Sequence, residues 1–161
     1  MEFSVVIPLY NKDKHITRAI NSVLNQSYRK FEIIVVDDGS TDSGVIEVKK
    51  INDSRIRLVQ QINLGVSSAR NKGISLAKYN FVGFLDADDA WKPDFLETIY
   101  FLIKKYPEAG AFATAYEIIN NVSKKSIPKS ILNVPEGWEG IIDDYFRLAL
   151  KSPLISASSV V

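Results

Sequence analysis

Along the chain, apolar positions alternate between two periods. Phe3-Ser4-Val5-Val6-Ile7 is rich in β-branched residues and runs to Pro8, which predicts a first strand. Ile16, Ala19, Ile20, Val23 and Leu24 then recur at helical spacing, with Asp13 placed to cap the helix they define. Phe31 to Val36 is apolar at nearly every position, the pattern of a strand buried on both faces of a parallel sheet. The turn-rich stretch Asp37 to Asp42 follows, with Gly39 suited to a positive φ and Ser40 or Asp42 to a helix cap. A short helix is predicted around Val45 to Ile51.

The same alternation continues. Ile56 to Val59 predicts a third strand, and Val66 to Ala77 a third helix with an apolar stripe of Val66, Ala69, Ile74 and Ala77. Phe81 to Leu85 is a fourth strand, closing on Asp86-Ala87-Asp88-Asp89. After Pro93, a good first-turn residue, Phe95, Leu96, Ile99, Leu102 and Ile103 mark a fourth helix. Strands alternating with helices predict an α/β fold with a mostly parallel sheet flanked by helices on both faces. Asn120 to Pro135 has the weakest pattern and is expected to be a long loop. Ile155 to Val161 reads as the start of a strand, so residues 1–161 are expected to form a single domain cut from a longer protein.

Composition narrows the chemistry. Twenty basic and nineteen acidic side chains leave a net charge of +1, which gives no electrostatic reason to expect a nucleic-acid partner. There is no cysteine, so disulfides, thiolate catalysis and zinc–thiolate sites are excluded. His15 is the only histidine, which removes two-histidine zinc motifs; it is expected to be an exposed helix residue. No apolar run approaches the roughly 20 residues of a membrane span, and no signal peptide opens the chain. A cytoplasmic protein is the default expectation.

In an open parallel sheet, ligands bind outside the carboxyl ends of the strands. Three strands here end in unusual sequence: Pro8-Leu9-Tyr10-Asn11, Asp37-Asp38-Gly39-Ser40 and Asp86-Ala87-Asp88-Asp89. Close carboxylate pairs repel by a few kcal/mol at an effective dielectric near ~20, and a bound cation would offset that. Oxygen-only ligands select hard ions, Mg2+ or Mn2+. Alternation in an extended segment lets Asp86 and Asp88 face one ion while Ala87 points away. A plain turn capping the next helix explains the same residues without a ligand. Asp38 is suited to accept hydrogen bonds from a base or ribose, Tyr10 offers a flat face for stacking, and Arg70 can pair with carboxylate or phosphate. The bland readings are a tight turn, a lone surface tyrosine and a solvated arginine. Trp91 is expected to be a packing residue.

With these residues in view, the sequence resembles family 2 glycosyltransferases of GT-A fold. The matching segments are Ser4 to Asn11, Ile34 to Asp42, Asn63 to Gly73 and Phe84 to Asp89, in that order. The resemblance implies a nucleotide-diphosphate sugar donor, a UDP-sugar in the first instance, and displacement with inversion at the anomeric carbon. It implies that Pro8 and Tyr10 line the base pocket, that Asp38 bonds the base edge, and that Arg70 lies near the nucleotide. Asp86 would approach the ribose and the metal, and Asp88 would ligate an Mn2+ or Mg2+ bridging the phosphates. It also implies a glycan or lipid-linked glycan acceptor, polysaccharide biosynthesis, and a cytoplasmic location with peripheral association at the inner face of the membrane. The family's catalytic base lies in a later acidic motif; Glu136, Glu139, Asp143 and Asp144 precede the last strand and do not match it.

Two other readings compete. A donor-binding module without transfer activity carries the same motifs. A phosphatase of the haloacid dehalogenase kind also places D-x-D after a strand, but there the nucleophile sits on the first strand, whereas this cluster follows the fourth. A dinucleotide oxidoreductase would need a Gly-rich turn after the first strand, where Pro8-Leu9-Tyr10 stands instead.

Overall fold

The computed structural model describes residues 1–119, 125–126, 135, 137–143, 145 and 156–161. Four strands form one parallel sheet: β1 (Phe3–Leu9), β2 (Phe31–Asp38), β3 (Ile56–Gln61) and β4 (Phe81–Phe84), in the order β3-β2-β1-β4. β1 is central, with Phe3 beside both Phe31 and Phe81, and Leu9 beside Asp37. The expected parallel α/β sheet is therefore present, and β1 runs on through Pro8 to Leu9.

Four helices cover the sheet: α1 (Asp13–Leu24), α2 (Gly44–Lys49), α3 (Val66–Leu76) and α4 (Phe95–Lys105). Side chains alternate across a strand, so β1 feeds two faces. Phe3, Val5, Ile7 and Leu9 pack in one core with Ile16, Ala19, Ile20 and Val23 of α1, Val48 of α2, and Phe95, Leu96, Ile99 and Ile103 of α4. Each large side chain among them contributes roughly 1.5–3 kcal/mol of transfer free energy. On the other face Ile34 and Val36 meet Ala69 of α3, with Leu76 and Ala77 alongside.

That second face corrects the stripe read from sequence. Ala69 is buried and Ala77 packs beside it, as expected, but Val66 and Ile74 are exposed and Gly73 is the second buried position of α3. A Cβ at Gly73 would lie 2.3 Å from Val6 Cγ1, so a residue without a side chain lets α3 lie close on the sheet.

Two further elements differ from expectation. Within the stretch read as a long loop, β6 (Lys125–Ser126) pairs antiparallel with β5 (Ile118–Ile119); the rest of 120–134 lies outside the described residues. Asp13 is the first helical residue of α1 rather than its cap, and Lys12 holds the cap position.

The C-terminal stretch read as a strand forms a 3-10 turn, Ala157–Ser159, capped by Ser156. Its end pairs as a strand would: Val160 bridges Ala113, Val161 and Phe112 exchange backbone hydrogen bonds at 2.8 Å, and Phe84 N–H donates to the Val160 carbonyl. The run of small hydroxylated residues explains the turn: Ser156 and Ser159 close a capping box on one another, and pairing begins only after it. Trp91 is buried and stacked on Phe95 at 4.2 Å, a packing role as expected, and His15 is exposed. No helix among the described residues is long and apolar enough to cross a membrane.

Candidate functional site

Parallel strands deliver their C-terminal ends to one edge of the sheet. There the loops after β1, β2 and β4 enclose, with the start of α3, a cavity of about 450 Å³. Pro8, Tyr10, Asp38, Arg70, Asp86 and Asp88 all line it, together with Lys12, Asn63, Gly65 and Val66. The six residues singled out from sequence thus share one cavity.

The loop leaving β1 is clasped to the loop leaving β2. Asn11 sits at φ 51, a left-handed conformation that Asn tolerates better than most residues. Its Oδ1 accepts from Thr41 N–H at 2.8 Å, and its own N–H donates to Ser40 Oγ at 3.1 Å. Asp42 ties the two helix starts together, because its carboxylate accepts from Asp13 N–H and from Gly44 N–H, each at 2.9 Å. Tyr10, between these anchors, stays 48% exposed with its ring on the cavity wall.

The acidic pair that ends β2 is turned to the chain's own amides. Asp37 accepts from Ser40 N–H, which closes the turn around Gly39 at φ 74. Asp38 is 3% exposed and takes three donors from the β3–α3 loop: Gln61 Nε2 at 2.7 Å, Leu64 N–H at 2.9 Å and Gly65 N–H at 2.8 Å. Burial alone would push this carboxyl up; the donations outweigh it and hold Asp38 below the usual carboxylate value. Gly65 reaches Asp38 from φ 89, ψ 161, a backbone region open essentially to glycine alone. The leucine–glycine pair before α3 is thereby explained as a cradle for one carboxylate.

The acidic cluster after β4 is held differently. Ala87 is buried in the core while Asp86 and Asp88 stand partly exposed, the alternation expected from sequence. Arg70 Nη2 donates to Asp86 Oδ1 at 2.6 Å, and Lys12 Nζ donates to Asp88 Oδ2 at 2.6 Å. Arg18 donates to the Asp88 carbonyl. The Lys12 hydrogen bond, reinforced by its charge, keeps Asp88 below the usual carboxylate range and Lys12 above its ordinary value. Arg70 Nε is buried and, among the described residues, without a hydrogen-bond partner. Ser158 Oγ accepts from Asp86 N–H at 3.0 Å, so the C-terminal turn props the acidic loop from behind.

The repulsion that spoke for a bound cation is already relieved by the chain's own Lys12 and Arg70. Among the described residues no group of three or more His, Asp or Glu is arranged around a metal position. Lys12, Arg18 and Ser158 were not singled out from sequence: the lysine-to-aspartate pair spans 76 positions and only the fold brings its members together. Glu139 pairs with Lys105 at 2.7 Å, whereas Glu136 and Asp144 lie outside the described residues.

Comparison with known proteins gives one consistent result. Residues 4–155 match the family model "Glycosyl transferase family 2". An Escherichia coli relative, the UDP-Glc:alpha-D-GlcNAc-diphosphoundecaprenol beta-1,3-glucosyltransferase WfgD, is 37% identical over 121 residues, covering 74% of this chain and 47% of its own. S. aureus TarS in complex with UDP-GlcNAc superposes with a TM-score of 0.73 at 30% identity, over 83% of this chain and 39% of that one. The mannosyltransferase PcManGT from Pyrobaculum calidifontis, in complex with GDP-Man and Mn2+, gives 0.62 at 28% identity, over 68% and 34%. This chain therefore spans less than half the length of each.

Proposed function

The chain belongs to glycosyl transferase family 2 and has its GT-A fold, and on that premise we propose that it forms the donor side of an inverting, metal-dependent glycosyltransferase. The donor is a nucleotide-diphosphate sugar with UDP as the nucleotide, and the acceptor is a hydroxyl of a glycan or lipid-linked glycan. In the reaction the acceptor oxygen forms a bond to the anomeric carbon. The bond from that carbon to the diphosphate oxygen breaks, its electron pair leaves on the diphosphate, and the acceptor proton passes to a base.

The observation that carries this reading is convergence: an aromatic face, a buried carboxylate and two outward-facing carboxylates with their cations line one cavity at the sheet edge. Tyr10 offers its ring to the base, beside Pro8. Asp38 already binds three donors, yet a carboxylate has about four acceptor positions, which leaves room for a base N–H. Its rigid placement by backbone amides suits a group that must read a base without moving.

Asp86 and Asp88 fit a hard divalent ion. Magnesium-like ions are commonly held by about one or two carboxylates, with substrate phosphates completing the shell. When bound, Mn2+ or Mg2+ would neutralise the charge that develops on the leaving diphosphate. The wall carries three carboxylates, Asp38, Asp86 and Asp88, against the cations Lys12 and Arg70. A diphosphate entering alone meets net negative charge, and a divalent ion entering with it reverses that balance.

Thermal unfolding of the purified chain with UDP, dTDP and GDP, each with Mn2+ and with EDTA, tests the assignment. UDP with Mn2+ should raise the midpoint, since a ligand that binds only the folded state stabilises it by mass action. A midpoint indifferent to all three nucleotides would remove the donor site, and a response to GDP or dTDP alone would replace the nucleotide.

A further inference from the structure

We propose that Lys12 is a diphosphate-binding residue kept on Asp88 until the donor arrives, so that metal and donor bind as a coupled pair. The inference rests on the donor site proposed above and adds the residue that makes its two ligands interdependent.

Lys12 stands at the cap position of α1 and lines the cavity, with its Nζ 2.6 Å from Asp88 Oδ2. The two side chains are 43% and 42% exposed, so water competes for both and the pair is readily exchanged. Among the described residues no other cation lies within ion-pairing distance of the Asp88 carboxylate, because Arg18 donates to the carbonyl instead. A lysine ammonium on its four-carbon stem moves as a point charge and does not need the fixed fork geometry of an arginine.

A divalent ion that takes Asp88 leaves Lys12 without its counter-charge inside the cavity. A diphosphate that enters alone faces the carboxylates of Asp38, Asp86 and Asp88 and finds Lys12 already engaged. When both enter, the ion takes the carboxylate, Lys12 turns to a phosphate oxygen, and each ligand removes the cost the other would have met. Arg70 is arranged alike on Asp86, with its buried Nε still lacking an acceptor. Coupling of this kind is reciprocal: the factor by which UDP tightens Mn2+ equals the factor by which Mn2+ tightens UDP.

The test is calorimetric titration of Mn2+ into the purified chain with and without saturating UDP, for wild type, Lys12→Met and Lys12→Arg. In wild type UDP should tighten Mn2+ by roughly tenfold or more, within the usual range of such couplings. Lys12→Met keeps the stem but frees Asp88, so Mn2+ alone should bind about two- to five-fold more tightly, the value of an exposed ion pair. UDP with Mn2+ should bind roughly tenfold more weakly to Lys12→Met for want of a charge-assisted bond to phosphate. Uridine, which has no phosphate, should bind both proteins equally, and Lys12→Arg should restore most of the UDP affinity. Mn2+ affinity in Lys12→Met that matches or falls below wild type, with UDP affinity unchanged, overturns the role of Lys12 and leaves the donor site standing. Failure of wild type to bind UDP at all, with Mn2+ present, overturns the donor site and this inference with it.

Discussion

At the end of β2, Asp38 rests on two backbone amides and a glutamine amide, whereas at the end of β4 Asp86 and Asp88 rest on arginine and lysine side chains. In sequence the two clusters look alike, each a run of aspartates after an apolar strand. Their partners divide the work. Backbone amides are fixed and neutral, so Asp38 is part of the scaffold and cannot exchange them without unmaking the β3–α3 loop. Side-chain cations are tethered but free to turn, so Asp86 and Asp88 can trade them for an ion. One acidic end is therefore suited to hold shape, and the other to change partner.

Removing each carboxylate should separate these roles. Asp38→Ala leaves two backbone donors without an acceptor, Gln61 keeping Ser68 Oγ, and should destabilise the chain by about 3 kcal/mol, since each orphaned buried donor costs on the order of 1–3 kcal/mol and water reaches part of this loop. Urea unfolding measures it, and nucleotide binding should weaken with or without metal. Loss of less than about 1 kcal/mol would show that the loop does not depend on Asp38. Gly65→Ala meets no steric obstacle but must occupy φ 89, which costs about 1–3 kcal/mol, and it should carry part of the same defect. An alanine variant as stable as wild type would mean that the loop has another conformation of equal energy.

Asp88→Ala should do the reverse. Stability should stay within about 1 kcal/mol of wild type, because a half-exposed ion pair contributes little, while metal-dependent UDP binding should disappear. Unfolding and calorimetry on the same preparation check both halves; a destabilised protein that still binds UDP with Mn2+ would invert the assignment. The smallest expected effect concerns pH. Asp38 in the fold titrates below its ordinary value of 3.8, so the stability it contributes is complete above that value and is lost as pH falls through the folded pKa. The stability difference between wild type and Asp38→Asn should accordingly narrow as the pH is lowered below 3.8. A difference that widens on acidification would contradict the hydrogen-bond account.

The sheet was legible because its cause is local. Phe31 to Val36 is apolar on both faces, and the core of the fold buries it on both faces. Gly39 was readable for a similar reason, since a turn that tight needs a positive φ and the residue there adopts 74°. The cavity was legible one level up, because parallel strands must deliver Tyr10, Asp38 and Asp86 to the same edge. What escaped depends on distant partners. Lys12 at the cap of α1 and Arg18 within it look like ordinary surface cations until the loop after β4 brings Asp88 beside them. On α3 the stripe of Val66, Ala69, Ile74 and Ala77 was right at Ala69 and wrong at Val66 and Ile74: close packing on Val6 selects Gly73, a preference for small volume that periodicity of apolar residues does not report. In the C-terminal segment the valines pair with Phe112 and Ala113 as a strand reading requires, but the serines before them close a turn on themselves, which their neighbours' β-branching concealed.

Calorimetric titration of UDP into the purified chain, first with Mn2+ and then with EDTA in its place, bears most directly on the claim that this sheet edge binds a donor diphosphate through exchangeable carboxylates. The account predicts a binding isotherm with Mn2+ that vanishes in EDTA. Equal binding in both conditions would show that Asp86 and Asp88 hold no ion for the nucleotide, and no binding in either would show that the cavity is not a UDP site.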